Sequence, residues 1–153
     1  MFKKLKPKSH YTKKRDLVVY EEERNLCTEY GLKNKRELGR YYSLAKKYRS
    51  LGRREGTSSN PYLLAIKSLN SKGVLSETQS MQEITPQRFL SRRLQTLVSK
   101  IGKITISASR FLINTGKVKI GVKTYRFPGM IVSKELEKLI TLNNFEEKLK
   151  TNA

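Results

Sequence analysis

Cysteine and histidine each occur once in this chain, at Cys27 and His10. A lone cysteine has no internal disulfide partner, and one thiol with one imidazole is too few donors for a structural metal site. Cys27 falls at an apolar position of an expected helix and reads as a small buried hydrophobe. Long apolar runs are missing too: nothing approaches the ~18 consecutive residues of a membrane helix. Met1-Phe2-Lys3-Lys4-Leu5-Lys6 is followed by no apolar stretch, so no secretory signal is expected. There is no glycine-rich phosphate loop. Negative charge is the scarcest resource: between Ile84 and Lys134 there is no Asp or Glu. These absences point to a cytosolic chain without metal, cofactor or membrane contact, and with no acid/base pair for catalysis.

What is present is positive charge. The 153 residues carry 33 Lys and Arg against 13 Asp and Glu, a formal charge of +20. Self-repulsion at that charge weakens the free compact state, which makes a polyanion the natural partner. Nucleic acid comes first, because each neutralised phosphate releases counterions and adds affinity. Only 37% of residues are hydrophobic, so the core is expected to be thin and part of the chain to order only against its partner. The charge is also unevenly placed. Residues 1–54 hold 17 basic and 6 acidic side chains, residues 55–83 are near neutral, and the acid-free stretch after them is basic again. Surfaces that serve solubility alone mix their signs.

Periodicity divides the chain further. Residues 1–15 are Lys-rich and aperiodic, an extended basic arm. A helix is expected at 16–30, opened by Asp16 and stopped by Gly31, and a second at 34–54. In the second, Leu38, Tyr41, Ala45 and Tyr48 recur at helical spacing, with Arg36, Arg40, Lys47 and Arg54 opposite and Arg53 beside them. Tyr41, Tyr42 and Tyr48 are candidates for base stacking, but their spacing favours core packing. A polar loop at 55–61 precedes a third helix at 61–71 and a looser connector.

Thr85-Pro86 reads as a helix start. One helix is expected from there to Gly102, packing through Leu90, Leu94, Leu97, Val98 and Ile101 and presenting Arg92, Arg93, Thr96 and Lys100. A short helix at 107–114 would bury Ala108, Phe111 and Leu112. The period then drops to 2: Lys117-Val118-Lys119-Ile120 alternates as a half-buried strand does, and residues 124–127 and 130–132 read as two more strands around Pro128-Gly129. Tyr125 and Phe127 are open between stacking and packing. The tail from Lys134 is amphipathic, with Leu136, Leu139 and Ile140 placed to pack back.

The expected class is therefore α+β: a basic arm (1–15), a helical lobe with connector (16–84), an α–α–β RNA-binding module (85–133) and a packing tail (134–153). In the module, Arg92, Arg93, Thr96, Lys100, Lys103 and Arg110 are expected to converge near the turn between the helices, with Lys117 and Lys119 on the adjoining strand. Arginine forks and lysine point charges on rigid helices suit phosphate and 2′-hydroxyl contact, so shape is read rather than base sequence. Replacing Arg92 and Arg93 by alanine is then expected to weaken binding and flatten its salt dependence.

Several segments resemble a known family. Glu29-Tyr30-Gly31-Leu32-Lys33-Asn34-Lys35-Arg36-Glu37-Leu38 is similar to the hallmark segment of the small-subunit ribosomal protein S-four family, in its archaeal and eukaryotic branch. Ser91-Arg92-Arg93-Leu94-Gln95-Thr96-Leu97-Val98 resembles the opening helix of that family's RNA-binding module. Phe127-Pro128-Gly129-Met130-Ile131-Val132, followed by Glu135-Leu136-Glu137, resembles its end. Gly39 departs from the pattern, standing where a bulky aromatic usually follows the Arg-Glu-Leu run.

The resemblance implies a protein that grips a junction of small-subunit rRNA helices and acts early in assembly. It also implies a place beside ribosomal proteins S-three and S-five, near the channel through which mRNA enters. On the matching motifs it implies rRNA contacts at Lys33, Asn34, Lys35, Arg36 and Arg40, and at Arg92, Arg93, Gln95, Thr96 and Arg110. Two rivals remain. A nucleolar pre-rRNA processing factor of the same family fits the Met1–Lys6 start and the short C-terminus, although Leu94-Gln95-Thr96 is ribosomal in type. An enzyme carrying the module as an appendage would need a catalytic domain, and the 84 residues ahead of the module are too few for one.

Overall fold

The computed structural model describes residues 14–54, 59–76 and 79–142, with side chains from residue 18 onward. Most of the expected basic arm, His10, part of the polar loop and the end of the tail lie outside the described residues. Helices α1 (Lys14–Glu29), α2 (Lys35–Arg54) and α3 (Asn60–Ser71) are followed by a 3₁₀ turn at Met81–Glu83. Then come α4 (Pro86–Ser91), α5 (Leu94–Gly102), α6 (Ile106–Asn114), strands β1 (Val118–Ile120) and β2 (Lys123–Thr124), α7 (Lys134–Glu137) and β3 (Ile140–Leu142). The α+β class expected from periodicity is the observed one.

Two apolar cores result. The spacing that marked α2 buries Leu38, Tyr41 and Ala45 against Tyr62 and Leu69 of α3, Met81, and Phe89 and Leu90 of α4. Tyr48 stacks on Phe89 with ring centroids 5.9 Å apart, so Tyr41 and Tyr48 are core residues while Tyr42 stays exposed. The second core joins Leu94, Leu97 and Val98 of α5 to Ile113, Val118, Ile120, Val132 and Ile140. Cys27 is half-buried against the first core, and burial raises its thiol pKa.

The chain crosses from one core to the other at Arg92–Arg93, and there the single helix expected from Pro86 to Gly102 breaks. No Gly or Pro marks the break. Arg93 is extended (φ −69°, ψ 143°) and bridges Ile131. The amides of Leu94 and Gln95, orphans at the start of α5, donate to the carbonyls of Met130 (2.7 Å) and Pro128 (3.2 Å), and Val132 N donates to Arg92 O (3.0 Å). Tertiary hydrogen bonds thus replace the helical ladder, which local propensity does not reveal. The shorter α5 turns Ile101 outward.

The register of α6 is also shifted. It starts at Ile106, capped by the Thr105 hydroxyl accepting from Ala108 N. Ser109 and Ile113 become the buried pair, whereas Ala108 and Phe111 are exposed and Leu112 is intermediate. The antiparallel sheet has the order β2-β1-β3. Val118 and Ile120 point into the core and Lys119 away, as alternation predicts. Gly121, at φ +60°, supplies the left-handed backbone of the two-residue turn to β2. The strand expected at 124–127 shrinks to Lys123–Thr124, and residues 130–132 give only the Ile131 bridge. The third strand is instead Ile140–Leu142, pairing Ile120 with Ile140 and Val118 with Leu142. Ile140 is buried as expected of the tail, and Leu139 is exposed.

Candidate nucleic-acid interface

The start of α2 is held by a reciprocal cap. Glu37 N donates to Asn34 Oδ1 (2.9 Å), and Glu37 Oε2 accepts from Lys33 N (2.9 Å). The same carboxylate receives two arginines from the far half of the chain. Arg93 Nη2 lies 2.5 Å from Oε1 and Arg110 Nη2 3.1 Å from Oε2. Gln95 Oε1 accepts from Arg110 Nε at 3.1 Å, and Gln95 Nε2 donates to Ile106 O at 2.8 Å. Arg93 Nη1 donates to Tyr30 O at 3.1 Å, and its guanidinium lies 5.6 Å from the Tyr41 ring. Gly31 (φ +56°) lets the backbone approach, since a Cβ there would meet Gln95 Nε2 at 2.8 Å. Burial alone would raise the Glu37 pKa. The Lys33 amide, Arg93 and Arg110 outweigh it and hold the carboxylate below its ordinary value.

The expected convergence of cations is thus real for some residues and redirected for others. Arg93, Gln95 and Thr96 face into the protein interior. Arg93 and Gln95 are fully buried, and the Thr96 hydroxyl donates to Leu90 O at 2.9 Å. Arg92 is largely spent on Glu137 Oε2 (2.7 Å) and Val132 O (3.2 Å). The acid-free stretch therefore does have carboxylates beside it, Glu37 from α2 and Glu137 from α7, brought by folding rather than by sequence proximity. Arg92 and Arg93, on which the salt-slope effect was expected, are thus engaged within the protein.

Solvent-facing side chains are gathered elsewhere. Lys33, Asn34, Arg36, Arg40 and Arg110 line one cleft of about 390 Å³ around Glu37. Asn114, one turn beyond Arg110, and Pro128 complete it. Neither is a contact candidate from sequence, where Pro128 reads only as a turn residue; Asn114 is legible only through its i, i+4 relation to Arg110. A groove of about 560 Å³ adjoins, with Arg40, Tyr41, Leu44 and Phe127 among its walls. Along the outer flank of α2, Arg36, Arg40 and Lys47 border a shallow depression that includes Gly39, where a Cβ would meet open space.

The other candidates lie apart from the cleft lining. Lys35 pairs with Glu23 at 3.0 Å and sits 3.8 Å over the Tyr20 ring. Arg53 and Arg54 are exposed at the far end of α2, roughly 27 Å along its axis from Arg36. Lys100 borders a depression with Tyr30, Ser91 and Ile106. Lys103 caps α5 in the left-handed region, Lys117 is exposed and Lys119 half-exposed on β1. Among the described residues there is no group of three or more His, Cys, Asp or Glu able to hold a metal. No described helix is long and apolar enough to cross a membrane.

No family model matches the chain. Curated relatives do. Over 133 residues it is 35% identical to the small ribosomal subunit protein uS4 of Korarchaeum cryptofilum, spanning 80% of this chain and 78% of that protein. The chain belongs to the uS4 family. The uS4 protein of Hyperthermus butylicus is 38% identical over 128 residues, 77% of this chain and 72% of its own length. That of Ignicoccus hospitalis is 31% identical over 147 residues, 90% and 87% of the two chains. In the structure, Glu37, Arg93, Gln95 and Arg110 form one hydrogen-bonded network at the cleft, and Lys33, Asn34, Arg36 and Arg40 are its exposed lining.

Proposed function

We propose that this uS4-family chain is a structural, non-enzymatic constituent of the small ribosomal subunit that binds small-subunit rRNA. The observation that carries the reading is the cleft itself. Lys33, Asn34, Arg36 and Arg40 are exposed at one helix start, and the one carboxylate among them is already neutralised by Arg93 and Arg110. A concave cationic surface on rigid helices contacts phosphates and 2′-hydroxyls at fixed spacing, which reads RNA shape. Arg53, Arg54, Lys100, Lys103, Lys117 and Lys119 extend the contact outward, with Lys35 positioned by Glu23. A helical lobe and an α–α–β module, joined through Glu37, grip the junction of rRNA helices together.

The family resemblance adds an early role in assembly of the subunit body. It also adds a place beside ribosomal proteins S-three and S-five, near the channel through which mRNA enters. Co-sedimentation with mature small subunits through a high-salt wash tests this. One retained copy per subunit is the expected result. Presence in precursor particles alone would instead favour a pre-rRNA processing factor.

A further inference from the structure

The rim of the cleft carries one side chain that phosphate binding does not use. Phe127 is 74% exposed. Single exposed apolar residues are ordinary on a protein surface, but this one stands on a fixed turn. The Pro128 carbonyl accepts from Gln95 N (3.2 Å), the Gly129 carbonyl accepts from the Tyr41 hydroxyl (3.2 Å), and Met130 N donates to the Phe127 carbonyl (3.2 Å). The backbone of the turn is thereby fixed, and Phe127 lines the groove of about 560 Å³ whose walls include Arg40, Tyr41, Leu44 and Met130.

We propose that this groove receives one unpaired nucleobase of the bound RNA, its face stacked on Phe127 and its phosphate on Arg40 and Arg36. The inference rests on the rRNA-binding reading above and sharpens it: the RNA at this edge is a loop or bulge nucleotide rather than continuous duplex. Three observations converge on that occupant. The walls pair an exposed aromatic side chain with the Arg40 guanidinium, and Arg36 stands beside Arg40 on the adjoining cleft, the combination that holds a splayed nucleotide by base and backbone together. Glu37 is the one carboxylate on the lining, and with Arg93 and Arg110 upon it the mouth remains positive, which selects an anionic partner over a neutral apolar one. The turn is already ordered by its hydrogen bonds, so stacking immobilises little more than one ring.

The chain contains no tryptophan, so Phe127→Trp creates a single indole, excited selectively over the tyrosines, without changing charge. The probes are the full-length variant with a small-subunit rRNA transcript and, separately, a perfect RNA duplex. Emission is expected to be quenched as the rRNA binds and to stay unquenched with the duplex. Leu64→Trp, at a position 62% exposed on α3, which contributes no residue to the cleft or the groove, is expected to stay unquenched with both. Phe127→Ala is expected to weaken rRNA binding by about tenfold with the salt slope unchanged, while Phe127→Tyr restores it. Full rRNA binding with unquenched emission would overturn the groove assignment and leave the rRNA reading standing. Emission that responds only to an added neighbouring ribosomal protein would overturn it as well, assigning the groove to a protein contact. Failure of the unaltered chain to bind the transcript would instead remove the reading underneath.

Discussion

Glu37→Ala is expected to destabilise the protein by about 3–5 kcal/mol, because it leaves the guanidinium of Arg93 buried without its counterion. Arg93 is wholly enclosed, and the same substitution removes the side-chain half of the α2 cap and the ion-pair partner of Arg110. Against a total stability of about 5–15 kcal/mol for a domain, that loss brings the fold near its threshold. Urea unfolding followed by circular dichroism measures it as a lowered midpoint. Combining Glu37→Ala with Arg93→Met is expected to recover much of the loss, since the buried charge then leaves together with its partner. A Glu37→Ala variant as stable as the unaltered chain would show that the network is ornamental. The pH dependence has a defined sign. Glu37 titrates below its ordinary value when folded, so its contribution is complete at neutral pH and is lost as pH falls through the depressed folded value. Acid unfolding of the Glu37→Ala variant is accordingly expected to be the shallower of the two.

The double substitution Arg36→Ala, Arg40→Ala is expected to produce the opposite signature: an intact fold and a large loss of rRNA affinity. Both side chains are exposed on the flank of α2 and line the cleft. Removing the two proposed phosphate contacts is expected to reduce the slope of log affinity against log salt by about 2 and to weaken binding at every salt concentration. Arg93→Ala provides the contrast. It is expected to lower the unfolding midpoint sharply while leaving the salt slope of whatever protein remains folded unchanged. If both variants shift the slope equally, burial does not separate scaffold from contact in the way described.

That separation is the part of the site the sequence does not disclose. Helix periodicity revealed α2, its buried stripe and its cationic flank, because one amphipathic element carries its own record of inside and outside. Arg36 and Arg40 were legible for the same reason, whereas Lys33, Asn34 and Lys35 entered through the family resemblance alone. Arg92, Arg93, Gln95 and Thr96 were not, because their orientation depends on a helix break written in no local residue. It arises from amides of Leu94 and Gln95 donating to carbonyls at 128–130, and from a carboxylate far away in sequence. The same non-locality hid β3. An amphipathic tail fits a helix or a strand, and pairing with β1 decides between them. Phe127 stayed open between stacking and packing until the turn that exposes it was seen.

The most direct test of the central claim is cross-linking of RNA to protein in small subunits that contain this chain, with the linked peptides identified by mass spectrometry. Links are expected at Lys33 and along Arg36–Arg40, and around Arg110–Asn114, with none at the buried Arg93 and Gln95. A map in which Lys100, Lys103 and Lys117 are linked and the residues from 33 to 40 are bare would place the RNA on another face and contradict the account.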